Sequence, residues 1–184
     1  MPFAVAVPFR SVCDAQARVL ERNGLLRLYA TWNRRGTDGI PNTKTRLLAP
    51  LGLLAYVGAK SLPPYFGEVA RFSLYPWYDR WVKTMLRPGD HVLSSYGYAN
   101  ACFLWARQHG GKTFLDAGNS HPANFWEILA EEYRRWNCPY PPVARFHQRR
   151  ALQMMEEVDF VLSPSSFVRN SFLANGFTQE QVLD

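Results

Sequence analysis

Short apolar runs alternate with segments of helical spacing along most of this chain, and no other feature constrains its fold as much. Phe3-Ala4-Val5-Ala6-Val7-Pro8-Phe9 begins almost at the first residue, as a strand buried on both faces would. Val12, Ala15, Val19 and Leu20 follow at helical spacing, and Asn23-Gly24 supplies a stop. Leu25 to Trp32 reads as a second strand. Strand, helix and strand with short joints make a βαβ unit, which predicts a parallel pair joined by a right-handed crossover. The pattern resumes after the turn Arg87-Pro88-Gly89-Asp90, with a strand over 91–96, a helix over 99–109 stopped by Gly110-Gly111, and a strand over 112–118. A helix over 124–136 is read as opened by Asn124 with Glu127 three positions on. After the prolines at 139, 141 and 142 come a helix over 143–157, a strand over 159–165 and a helix over 165–175 closed by Asn175-Gly176. The expected fold is α/β: a Rossmann-like, doubly wound parallel sheet in one domain spanning 1–184.

Residues 33–84 interrupt this rhythm as an aromatic and basic insert. A polar Gly/Pro loop over 33–43 leads into 45–60, the most apolar stretch, flanked by Lys44, Arg46 and Lys60. That stretch is shorter than the ~20 residues a bilayer span needs. Two readings stay open: a helix packed on the sheet, or an interfacial segment dipping into a membrane. Pro50 and Gly52 argue against a long regular helix. Residues 62–80 read as irregular and aromatic, with Tyr65, Phe66, Phe72, Tyr75, Trp77 and Tyr78, then Trp81, among Arg71, Arg80 and Lys83. Such a segment either binds lipid, sugar or a base, or plugs a gap beneath the loops.

Charge sharpens the choice of partner. Residues 1–112 hold 15 Lys/Arg and 6 Asp/Glu (+9), and residues 113–184 hold 6 and 9 (−3), which sum to the chain's +6. A basic N-terminal portion suits an anionic membrane surface or a phosphorylated acceptor, or is simply a solvated basic face; nucleic acid is weighed but not expected. Lys44, Arg46, Trp77, Tyr78, Trp81 and Lys83 are the candidate membrane or acceptor surface. Cys13, Cys102 and Cys138 are odd in number and widely spaced, with no CxxC, so neither a disulfide framework nor a zinc site is indicated. Reduced thiols and the lack of a basic leader ahead of the first strand make a cytoplasmic protein the expectation, with attachment to the inner membrane face an option.

Ligands of such sheets sit outside the C-terminal ends of the strands. The segments to weigh are therefore Pro8 to Ser11, Trp32 to Arg35, Ser94 to Tyr98, Asp116 to His121 and Ser163 to Phe167. His121 in Leu115-Asp116-Ala117-Gly118-Asn119-Ser120-His121-Pro122 can hold a substrate hydroxyl or move a proton; alternatively it caps the next helix. Ser165 and Ser166 head a helix whose amides can receive a phosphate or a sugar hydroxyl, or they are plain N-caps. There is no GxGxxG, GxxxxGK[ST], GxSxG or DxD. Nicotinamide, flavin and P-loop chemistry, the common hydrolase elbow and a carboxylate-held metal are disfavoured, so neither cofactor nor metal is expected.

Two of these loops, in this order, carry a resemblance. Asn119-Ser120-His121-Pro122, then Met155-Glu156-Glu157-Val158-Asp159-Phe160-Val161-Leu162-Ser163-Pro164-Ser165-Ser166-Phe167, then Leu173-Ala174-Asn175-Gly176-Phe177 resemble the N-terminal domain of the GT-B glycosyltransferases of family 4, the retaining glycosyltransferase group 1. The likeness covers about 85–184, is featureless over 1–32 and is poor over 33–84. It implies transfer of a sugar from a nucleotide sugar to a lipid or saccharide acceptor held mainly by this domain. His121 would sit between donor and acceptor, and Ser165 near the nucleotide-sugar cleft. Arg10, Ser11, Tyr96, Asn119, Ser120 and Ser166 complete the expected cleft. The family's Gly-rich loop after the first strand is here Pro8-Phe9-Arg10-Ser11, which would make Arg10 a phosphate contact. The resemblance also implies a second, donor-binding domain beyond Asp184, without which the chain is expected to be inactive. The alternatives are a stand-alone module for an anionic ligand, membrane surface or nucleic acid, and part of a sugar-nucleotide epimerase.

Overall fold

A computed structural model describes residues 1–34, 37–139 and 142–183. In chain order the elements are β1 (Phe3–Ala6), α1 (Cys13–Arg22), β2 (Leu26–Thr31), β3 (Thr45–Leu47), α2 (Ala49–Ser61), α3 (Pro64–Ser73), α4 (Tyr75–Lys83) and β4 (His91–Ser94). There follow α5 (Asn100–Gln108), β5 (Thr113–Asp116), α6 (Pro122–Arg135), α7 (Pro142–Met155), β6 (Phe160–Leu162), α8 (Ser166–Leu173) and β7 (Val182–Leu183). The seven strands form one parallel sheet in the order β3-β2-β1-β4-β5-β6-β7. Strand order reverses at β1, where Phe3 lies beside Leu26 of β2 on one side and His91 of β4 on the other. This is the Rossmann-like, doubly wound α/β fold.

Side-chain alternation along the strands divides the core into two layers. Val5, Val7, Tyr29 and Leu93 face α1, which buries Cys13 and Ala17 against them. Ala4, Ala6, Ala30, Val92 and Leu115 face the other way, under Tyr78 and Val82 of α4, Phe103 and Ala106 of α5 and Met154 of α7. Small residues on this side let the larger helical side chains close on the sheet. A buried polar clamp joins three of these helices. The Asp79 carboxylate on α4 accepts the Ala101 and Cys102 amides at 2.8 and 3.1 Å, capping α5, and meets Arg150 of α7 at 3.3 Å. Arg150 also donates to the Gly97 carbonyl at 3.0 Å and to Asn100 Oδ1 at 3.3 Å.

The insert differs most from expectation. Residues 62–80 are helical over α3 and α4, and the apolar stretch supplies β3 before α2 begins. Pro50, which argued against a long regular helix, stands in the first turn of α2, and prolines also open α3 and α4. There the missing N–H costs nothing and the fixed φ suits the helix. Helix α6 begins at Pro122, capped by His121 rather than by Asn124. Arg35 lies outside the described residues.

Candidate functional site

The loops after β4 and β5, the first turns of α6 and the middle of α7 line a half-open cavity of about 240 Å³. Tyr96 comes from the β4 loop, and Asn119 and Ser120 from the β5 loop. Pro122, Phe125 and Trp126 come from the first turns of α6, and His147 and Ala151 from α7. The Tyr96 hydroxyl donates to the Asn119 carbonyl at 2.5 Å, which braces one loop against the other. Ser120 is buried while Asn119 faces solvent. Phe125 and Trp126 meet edge to face, their centroids 5.0 Å apart. The His147 ring lies 4.9 Å from Phe72 and 6.3 Å from Trp126. Burial, with Arg150 and Arg71 nearby, pushes its pKa down to about 4, so the ring is neutral at physiological pH. Its Nδ1 is buried with no partner. Gly97 (φ +70°) runs under that ring, where an added Cβ would stand 3.1 Å from Cε1.

The crevice where strand order reverses is occupied by aromatic side chains. Phe9 after β1 meets Tyr98 after β4 at 5.2 Å, Tyr98 meets Tyr75 at 4.8 Å, and Tyr75 meets Trp32 after β2 at 5.7 Å. At the head of α1, the Ser11 hydroxyl accepts the Cys13 amide and the Asp14 carboxylate accepts the Ser11 amide, both at 3.1 Å. This reciprocal cap engages the amides that a phosphate would need. Asp14 also accepts the Tyr29 hydroxyl at 2.6 Å. Beside them Asp116 accepts the Cys13 thiol at 3.4 Å and Gln16 at 3.2 Å. Burial raises both carboxyls above their ordinary value. Arg10 is exposed on this rim.

His121 is the N-cap of α6: its Nδ1 accepts the Ala123 amide at 3.3 Å. Its ring is buried, edge-on to Phe172 at 5.2 Å and 6.1 Å from Phe177. Burial lowers its pKa. Its backbone N–H donates to the Ser171 hydroxyl at 2.9 Å, tying the β5 loop to α8. The Ser165 hydroxyl accepts the Val168 amide at 3.3 Å as the N-cap of α8, and Ser166 is exposed beside it.

Of the expected surface, Trp77 and Lys83 are exposed. Tyr78 is a correction: it is fully buried and its hydroxyl donates to the Ala30 carbonyl at 2.6 Å, because it takes the sheet-facing side of α4. Trp81 is half-buried against the same core. Lys44 and Arg46 line an open cleft with Arg27 and Arg87 at the β2–β3 edge, away from the cavity. Lys44 is paired with Glu21 at 2.7 Å, and Arg46 donates to the Thr43 and Thr45 carbonyls at 3.0 and 2.9 Å. Arg27 is bound to Asp90.

The strand-end rule therefore finds Tyr96, Asn119 and Ser120, which the fold brings together, and misses Phe125, Trp126 and His147. An aromatic pair one turn past the Asn119-Ser120-His121 loop was the available signal for the first two. His147 carries none, because its place depends on how α7 packs against α3 and α6. Among the described residues no group of three His, Cys, Asp or Glu is placed to hold a metal ion, and no helix is long and apolar enough to cross a membrane. Comparison with protein-family models, curated proteins and solved structures finds no match.

Proposed function

We propose that this chain binds the acceptor of a retaining glycosyltransferase, as the acceptor-side domain of an enzyme that moves a sugar from a nucleotide sugar to a lipid or saccharide. The observation that supports the reading is the composition of the cavity: the aromatic Phe125 and Trp126 line it together with the polar Asn119 and Ser120. A sugar ring has an apolar C–H face and a rim of hydroxyls, so it suits an aromatic wall with convergent hydrogen-bonding groups. At about 240 Å³ the cavity is smaller than the ~300–1,000 Å³ of drug-sized sites, a size for one ring or terminal sugar of a larger acceptor.

His121 does not line this cavity, and its Nδ1 holds the Ala123 amide, so in this reading only Nε2 could reach substrate. The capped head of α1, flanked by Asp14 and Asp116, offers little to a diphosphate. A second domain must therefore hold the nucleotide sugar and neutralise the departing diphosphate, where the largest electrostatic contribution of such a transfer lies. The domain would work in the cytoplasm as a peripheral membrane protein.

The test is saturation-transfer NMR of the chain with methyl and octyl glycosides of common hexoses. Transfer to ring protons is expected, with affinity about tenfold lower in Trp126→Ala, equivalent to ~1.4 kcal/mol of lost stacking. A folded Trp126→Ala that binds as the parent does, or a parent that takes up none of the sugars, rejects the reading.

A further inference from the structure

Helix α2 is built inside out. Apart from Leu51, which packs on the core, its inward positions are small and recur every three residues. Gly52 runs against the Trp32 backbone, Ala55 is buried, and Gly58 faces Ala70 of α3, where an added Cβ would stand 3.3 Å from that methyl. Its large side chains face solvent: Leu53, Leu54 and Tyr56 are 63%, 61% and 61% exposed. Val57 joins them, as do Leu62 between the helices and Phe66 on α3. The first turn of α2 holds no acid, and the last turn holds Lys60. A helix that stays in water turns a polar or charged face outward, and a continuous exposed apolar face marks a contact.

The charge of the same stretch of chain says what kind of contact. Residues 44–83 contain six Lys/Arg and two acids, Glu68 and the buried Asp79. Arg46, Lys60, Arg80 and Lys83 are exposed. A symmetric pair of copies would press the same patch against itself and set these cations face to face. An anionic bilayer instead matches both the apolar face and its charge. We infer that the α2–α3 hairpin is a membrane wedge, with α2 lying in the plane of the headgroup–acyl boundary of an anionic leaflet. The wedge is made of α2 side chains, which sharpens the interfacial reading of 45–60 to one helix face and differs from the surface of Lys44, Trp77 and Tyr78. Phe72 of α3 packs on His147, which lines the cavity, so the helix paired with α2 also borders the cavity wall. The inference rests on the exposed face and its charge and holds whatever the cavity binds.

Vesicle flotation of the full chain tests it, using phosphatidylcholine with and without phosphatidylglycerol. The chain should float with the anionic vesicles at low salt and less at high salt. Leu54→Glu with Val57→Glu should lower the partition coefficient about tenfold or more. Because both side chains are exposed, far-UV circular dichroism and Tm should be unchanged. Lys60→Glu should weaken binding to the anionic vesicles and leave residual binding to neutral ones unchanged. The wedge is overturned by absence of flotation at low salt, or by equal flotation of the parent and the double variant. It is also overturned by a dimer in light scattering that the double variant dissociates, which would make the face a contact between copies.

Discussion

Replacing Gly52 by alanine should destabilise the protein, against the sign that helix propensity gives. Gly to Ala in a helix normally stabilises by at most about 1 kcal/mol. Here the new Cβ would overlap the Trp32 carbonyl oxygen and stand 3.1 Å from its carbon and 3.3 Å from Trp32 Cβ. Carbon–carbon contacts settle at about 3.5–4.0 Å, so the helix and the strand end must part by roughly half an ångström or more. Neither side yields easily. The Trp32 amide donates to Pro8 at 3.2 Å, and the Thr31 carbonyl accepts the Leu48 amide at the head of α2 at 2.9 Å. Overpacking of this kind costs up to about 3 kcal/mol, which leaves a net loss of about 2 kcal/mol after the propensity gain. For a chain of 184 residues that lowers Tm by about 4–8 °C. Gly58→Ala is the control, because its neighbour is the Ala70 methyl at 3.3 Å and the two helices can part slightly; it should stay within about 1 kcal/mol of the parent. Calorimetric melts of both variants give the answer. A Gly52→Ala protein that melts at or above the parent, with Gly58→Ala below it, refutes the seating of α2 on the end of β2.

His147 offers a pH prediction. Its imidazole protonates near 6.5 in the unfolded chain and near 4 in the folded one. The unfolded state takes up the proton first, so stability is present above pH 6.5 and falls as pH drops towards 4, by up to about 3 kcal/mol. Urea melts of His147→Phe should lack that slope. The raised carboxyls Asp14, Asp79 and Asp116 act with the opposite sign but are common to both proteins, so parallel slopes would count against the assignment. Arg150→Met leaves the Asp79 carboxylate buried without its ion pair and should cost about 3 kcal/mol or more. Adding Asp79→Asn should recover part of the loss, and a cost below about 1 kcal/mol for Arg150→Met alone would show that the clamp contributes little.

The sequence makes the βα alternation legible wherever apolar runs are long enough to show a period. The positions of β1, α1, β2, β4, α5 and β5 follow from it to within a few residues. β3 and β7 are three and two residues long, too short for a period to register, and are strands only because a neighbour supplies the hydrogen bonds. Trp77 and Tyr78 show a second limit. They are adjacent in sequence, yet one is exposed and the other fully buried, and only the helical phase of α4 separates them. Pro76 conceals that phase, because a proline among aromatics looks like a break and here stands in a first turn. Ser165 is legible as a cap, since a hydroxyl three residues before its donor amide is a local arrangement. The aromatic wall of the cavity is not local. Trp126 and His147 lie 21 positions apart (147 − 126) and meet because α6 and α7 pack on each other.

The reversal of strand order at β1 also bears on how the molecule is made. β1 is synthesised before both its neighbours: its β2 partner follows within thirty residues, but the other begins at His91, 88 residues beyond Phe3 (91 − 3). Until β4 emerges, one edge of the apolar segment Ala4–Val7 has no strand to close it. An open apolar edge is a template for pairing with another chain, and late closure of distant strands slows folding. The central strand of the finished sheet is therefore the exposed strand of the nascent one, and a holding chaperone that shields residues 1–95 during synthesis should raise the yield of folded protein more than one acting on the released chain.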